Sequence, residues 1–153
     1  VSTTAPILQG SLRRALCLGA PKRPDDERIS TVACEFGLAH LIDRVGGLKG
    51  RLAENGRTLS DGEIIRIHLA RARLTGANIV IVDTPLVEVD DALQTYIGAL
   101  HKDTGATILV ASLNGSGLGF ADRHLTIESD GTTTEDLTSE KLTHRGQDVR
   151  HAA

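Results

Sequence analysis

Two short apolar runs decide most of what this chain can fold into. Residues 79–82 read Ile-Val-Ile-Val, and residues 107–111 read Thr-Ile-Leu-Val-Ala. Continuous runs of this kind are what a parallel strand covered on both faces requires. Between them, Val89, Leu93, Ile97 and Leu100 recur at helical spacing and predict a helix over 89–102. Strand, helix, strand at these lengths implies a crossover connection and parallel pairing. A third strand is expected over 124–128, turned by Asp130-Gly131 into a hairpin with 132–134, and residues 114–119 read as loop.

The first half is helical by the same reasoning. A short helix is expected over 11–18. A second is capped by Asp25 and carries Ile29, Val32, Ala33 and Phe36 on one stripe. A third, over 38–45, stops at Gly46-Gly47, and the Gly-rich stretch 46–56 reads as loop. Ser60 opens a longer helix over 60–74, with Ile64, Ile65, Ile67, Leu69 and Ala70 as its apolar surface. The polar residues from 142 onward are expected to fray.

Aromatic residues make up only 2% of the chain, so the core has to be built from Ile, Leu, Val and Ala. Lys and Arg number 17 against 20 Asp and Glu, a net charge of −3 without a basic stripe, which argues against a nucleic-acid partner. Cys17 and Cys34 fall in apolar-periodic stretches and read as small buried thiols in a reducing compartment. No apolar run approaches the ~20 residues a membrane-spanning helix needs. Any membrane connection therefore passes through a partner or another segment. The chain has no Met and opens on Val1, which predicts that it is a cut or processed piece.

The order of motifs is more specific than any one of them. Thr58-Leu59-Ser60-Asp61-Gly62-Glu63 is followed by Arg66-Ile67-His68-Leu69-Ala70-Arg71-Ala72, then by Ile79-Val80-Ile81-Val82-Asp83-Thr84-Pro85 and Val87-Glu88-Val89-Asp90. These segments resemble, in order, the LSGGQ signature, the RIALARA helix, the Walker B strand and the SALD loop of ABC transporter ATP-binding domains, exporter type. Residues 108–112 are similar to the switch-histidine strand, and residues 2–18 to the Q-loop and the segment after it. The resemblance covers residues 1–131. It implies an α/β fold: the C-terminal part of a RecA-like P-loop NTPase core, with parallel strands, joined to an ABC-type α-helical subdomain. Residues 1–75 would hold the Q-loop region, helical subdomain and signature helix. Residues 76–140 would hold the Walker B strand, D-loop and switch strand, and 141–153 a polar tail. ATP and Mg²⁺ in the intact domain are implied too. So are a second ATP-binding domain in a head-to-tail dimer, the transmembrane domain of a transporter, and a place at the cytoplasmic face of the cell membrane.

The resemblance also assigns roles. Ser60 and Gly62 would meet the γ-phosphate of an ATP held by the opposing subunit, where helix N–H groups and the dipole favour an anion. Asp83 would hold Mg²⁺, Asp90 would act across the interface, and Thr3 stands where the Q-loop glutamine would be. Two readings stay open: Ser60-x-x-Glu63 is equally a capping box that needs no ligand, and Asp83 equally a strand-end residue capping a turn before Pro85.

Four departures bear on activity. Asp61 replaces a glycine and Glu63 a glutamine, and each carboxylate at ~6 Å from a phosphate would cost about 2–3 kcal/mol. Thr84 stands where a glutamate base belongs and cannot accept a proton at neutral pH. Ser112 stands where the switch histidine belongs and cannot carry positive charge. No GxxxxGK[ST] segment is present, so this chain alone is not expected to bind ATP in cis. The expected function is an ATP-binding subunit or domain of an ABC transporter, coupling ATP to transmembrane transport through a degenerate site with little hydrolysis. A heterologous subunit supplying the missing groups, or a non-nucleotide interaction module that kept the fold, are the alternatives. Gly115-Ser116-Gly117-Leu118-Gly119 fails as a dinucleotide fingerprint because Phe120 holds the sixth place. The six histidines show no metal-ligand spacing, and His68 reads as helix surface. Arg66, Arg71 and Arg73 read as a basic helix edge, solvated or packing.

Overall fold

The computed structural model describes residues 1–53, 56–83, 90–112 and 119–137. They fall in two compact units, Val1–Asn114 and Gly115–Ala153.

In the first unit the helices start where short polar side chains can hold their first N–H groups. Helix α1 (Leu12–Cys17) is capped by Ser11, which accepts from the Arg14 N–H. Helix α2 (Asp26–Glu35) is capped by Asp25, which accepts from the Arg28 N–H. Helix α3 (Ala39–Val45) ends on Gly46 at φ +79°, a left-handed stop that glycine takes without strain. Helix α4 (Asp61–Thr75) and helix α5 (Asp91–Thr104) are capped by Ser60 and Asp90. The helices of the sequence reading are all present. One expectation is corrected: 46–56 is not loop throughout. Strand β1 (Gly10–Ser11) pairs antiparallel with strand β2 (Arg51–Leu52), and Leu12 N–H donates to the Gly50 carbonyl at 2.9 Å. Buried Leu52 pulls this backbone into the fold.

Strand β3 (Ile79–Asp83) and strand β4 (Thr107–Ala111) pair in parallel, from Ile79 opposite Thr107 to Asp83 opposite Ala111. Along the other edge of β3, Ser2 bridges in parallel to Asp83, whose N–H donates to the Val1 carbonyl at 2.8 Å. The expectation that residues 79–82 are covered on both faces is overturned. Val80 and Val82 are buried, whereas Ile79 is 66% and Ile81 57% exposed. Leu109, which pairs with Ile81, is exposed beside them, and no described element covers that side of the sheet. Alternation, not continuity, is what this pair of strands displays.

Helix α4 is the centre of the unit, packing against α1, α2 and α5. Leu12 and Leu16 from α1, Ile29 and Val32 from α2, and Ile65, Ile67 and Leu69 from α4 are buried. Each such side chain contributes ~1.5–3 kcal/mol by leaving water. Because neighbours surround α4 on several sides, His68 is not on the helix surface: only 7% of it is exposed. The cysteine expectation also fails. Cys34 is exposed and Cys17 half-buried, because Cys34 lies one 100° step off the stripe formed by Ile29, Val32, Ala33 and Phe36.

In the second unit, strand β5 (Arg123–Ile127) and strand β6 (Thr133–Leu137) form the expected antiparallel hairpin. Gly131 takes φ +85° in its turn, which Glu128 N–H and the Thr132 carbonyl close at 2.8 Å. Leu125 and Ile127 are exposed.

Candidate functional site

The predicted signature segment sits on the N-terminus of α4, built as a full capping box. Ser60 Oγ accepts from the Glu63 N–H at 3.2 Å, and Glu63 Oε2 accepts from the Ser60 N–H at 3.0 Å. The same Glu63 carboxylate takes two further bonds from Arg44 in the last turn of α3. Arg44 Nη1 lies 2.9 Å from Oε1 and Nη2 lies 2.9 Å from Oε2. Burial pushes the Glu63 carboxyl up, but the Arg44 bonds and the Ser60 N–H outweigh it and hold it below the usual carboxylate range. Glu63 therefore carries a neutralised charge turned back onto its own helix end, and the phosphate repulsion expected of it is offset. Asp61, exposed at the first helical position, keeps its charge uncompensated by any described ion pair.

Two helix-start donors, the N–H groups of Asp61 and Gly62, have no hydrogen bond among the described residues. Gly62 itself is held from behind. Arg66 Nε donates to the Gly62 carbonyl at 2.9 Å and its Nη1 to the Gly37 carbonyl at 3.1 Å, tying the start of α4 to the end of α2. Neither Arg44 nor this bridging role of Arg66 was legible in the sequence. Arg44 lies 19 residues from Glu63 with no fixed spacing between them. The basic edge proves to be a set of packing partners: Arg71 Nε donates to Ala15 O at 2.7 Å, and Arg73 pairs with Glu35 of α2 and Asp103 of α5.

A second cluster forms at the carboxyl end of the parallel sheet. Register puts Asp83 opposite Ala111, with Ser112 the next residue, while the Ser2 bridge leaves Thr3 at the same edge. Three predicted positions, Thr3, Asp83 and Ser112, are thus gathered where parallel sheets place their ligands. Thr84, with Pro85 and residues 87–89, lies outside the described residues. Asp90 is used locally: its Oδ1 accepts from the Leu93 N–H at 2.7 Å as the cap of α5.

The chemistry such groups allow is limited and specific. No group of three or more His, Cys, Asp or Glu suited to a metal occurs among the described residues. A single strand-end carboxylate fits Mg²⁺, which keeps most of its waters and takes one or two protein oxygens. The free N–H pair of Asp61 and Gly62 fits a phosphate oxygen, with the Asp61 carboxylate as an opposing charge.

The fold is one found in ABC exporters. The chain superposes on a bacterial Atm1-family ABC exporter solved with ATP bound, with a TM-score of 0.72 and 18% identity, over 99% of this chain and 28% of that one. No protein-family model matches the chain. Among curated proteins it is 30% identical, over 93% of its length, to the β-(1→2)glucan export ATP-binding/permease protein of Agrobacterium fabrum, of which it covers 24%. It is 28% identical, over 92% of its length, to the glutathione/L-cysteine transport system ATP-binding/permease protein of Escherichia coli, covering 25% of it. A multidrug efflux ATP-binding/permease protein of Mycobacterium tuberculosis is 28% identical over 87% of the chain. The homologues of this chain are therefore ABC exporter ATP-binding/permease proteins, and the chain spans a quarter or less of their length. No helix among its described residues is long and apolar enough to cross a membrane.

Proposed function

We propose that this chain is the signature and Walker B part of an exporter ATP-binding domain whose own nucleotide site is degenerate. The observation that carries the reading is the gathering of Thr3, Asp83 and Ser112 at one end of the sheet, in a chain whose longest described helix opens on Ser60-Asp61-Gly62. In this reading β3 and β4 belong to a RecA-like P-loop core, and α1 to α4 to the helical subdomain. The division at 75/76 and 140/141 separates their tasks. Asp83 would hold Mg²⁺ through water. Ser60 and Gly62 would meet the γ-phosphate of ATP bound by a second domain in a head-to-tail dimer, with Asp90 near the same interface. The pair would move a transmembrane domain from the cytoplasmic face of the membrane.

Thr84 and Ser112 carry the degeneracy. A threonine hydroxyl cannot take the proton of an attacking water at neutral pH, and a serine can donate one hydrogen bond without a positive charge. Binding and closure would then outlast hydrolysis, leaving a regulatory or structural service.

The test uses the full-length natural protein, with and without its partner subunit. Mg-ATP binding without steady turnover is expected, and Thr84→Glu is expected to raise turnover to a measurable level. Steady hydrolysis by the unaltered protein alone overturns the degenerate site. Absence of any ATP affinity overturns the nucleotide reading in favour of an interaction module, which the ligand-free satisfaction of Glu63 and Asp90 by their own helices also suits.

A further inference from the structure

Between α4 and β3 lies an open cleft of about 290 Å³, lined among others by Val1, Leu18, His68, Arg71, Ile79 and Ile81. Its polar side chains come from one helix face, since positions three and four apart on α4 stand side by side. His68 Nε2 and Arg71 Nη2 are both buried there without a hydrogen-bond partner. His68 is more than nine-tenths buried, and Arg71 spends its Nε on the Ala15 carbonyl. No Asp or Glu lines the cleft, and no described carboxylate pairs with Arg71. A half-buried guanidinium with one buried nitrogen unpartnered and no counter-charge beside it is best complemented by an anion.

We propose that this cleft is a carboxylate site, with one carboxyl oxygen on Arg71 Nη2 and the other facing His68 Nε2, while Leu18, Ile79 and Ile81 pack on the carbon chain that bears it. The apolar lining and single cationic side chain suit a monoanion with a hydrocarbon tail better than a phosphate, which needs several donors. A carboxyl group also solves the histidine's problem. Burial first, then Arg71, disfavours a charged ring, against a favourable hydrogen bond with the Ala5 backbone. A carboxylate seated between Arg71 and His68 reverses that balance, so the complex takes up one proton from solvent, shared between the carboxyl oxygen and Nε2. Binding strengthens as pH falls. The site is independent of the nucleotide reading.

The carboxyl can come from an acidic side chain of the protein itself or from a free aliphatic acid, and propionate probes both. The ¹⁵N-labelled chain is titrated with sodium propionate at constant ionic strength, following the His68 ring and the Arg71 Nε–H by NMR. Expected is a joint, saturable shift of the two signals, about fivefold or more tighter at pH 5.5 than at 7.5, about tenfold weaker in Arg71→Lys and lost in Arg71→Gln. The same signals in the full-length natural protein identify the source. If they already sit at the saturated positions and ignore propionate, a protein carboxylate occupies the site; if they respond, the ligand is a free acid. No saturable shift in the 153-residue chain together with unpaired signals in the longer protein overturns the proposal, as does an equal response to chloride.

Discussion

Arg44 and Glu63 face each other fork to fork, with two contacts of 2.9 Å joining the last turn of α3 to the first turn of α4. The pairing lowers the Glu63 carboxyl, so its contribution to folding is complete above the ordinary glutamate range, near pH ~4.3, and is lost as pH falls through the lowered value. Arg44→Met should move the Glu63 titration back up toward that range, read from its carboxyl ¹³C shift. Because Arg44 is exposed, 1 M salt should shrink the difference between the two proteins. An unchanged Glu63 titration in the variant would mean that the capping bond, not Arg44, sets it.

His68 predicts a pH effect of the same sign by a different route. Burial first, then Arg71, lowers its ring to about 4, against about 6.5 for a free histidine. The unfolded chain therefore binds the proton more readily between those values, and stability drops as pH falls from ~6.5 toward 4, by about 1–3 kcal/mol. Urea unfolding from pH 7 to 4.5 measures it. His68→Ala should flatten this part of the profile whatever its effect at pH 7, and an equally steep variant would remove His68 as the cause.

What the sequence made legible was local. Caps at Asp25 and Ser60 announced their helices because each needs only a side chain three residues from an N–H, whereas the caps at Ser11 and Asp90 emerged only in the structure. Parallel pairing of β3 and β4 followed from run lengths. The sheet's open face did not, because Ile79 and Ile81 look the same in sequence whether or not something covers them. His68 was misread because one-dimensional periodicity knows nothing of the three helices around α4. Order along the chain singled out Thr3, Asp83 and Ser112 as candidates, and register alone showed that the three lie at one end of the sheet. The neutralising partner of Glu63 comes from another helix, which no spacing rule finds.

Gly37 offers a test of the packing between helices. It sits at φ +69°, directly under the Tyr96 hydroxyl, which a Cβ there would strike. Tyr96 also stacks at 5.8 Å on Phe36, and the Gly37 carbonyl receives Arg66. Gly37→Ala should cost about 1–3 kcal/mol in denaturant unfolding. Adding Tyr96→Phe should recover part of that loss, leaving the backbone strain behind. Strict additivity of the two changes would show that the ring does not press on this turn.

Ser60 is the residue at which structure and proposed function are hardest to separate, because one hydroxyl serves both. It caps α4, so Ser60→Ala should destabilise the fold by about 1 kcal/mol. Asparagine caps a helix nearly as well as serine, so Ser60→Asn should keep stability within ~0.5 kcal/mol. Its larger amide, however, fills the space above the N–H groups of Asp61 and Gly62, where a phosphate would approach. In the full-length protein, Ser60→Asn is thus expected to leave unfolding unchanged while weakening nucleotide-driven dimerisation about tenfold. The carboxylate at Asp61 opposes the same anion, so Asp61→Gly should act in the other direction and tighten it. If Ser60→Asn dimerises on Mg-ATP as readily as the unaltered protein, the hydroxyl is a cap and nothing more.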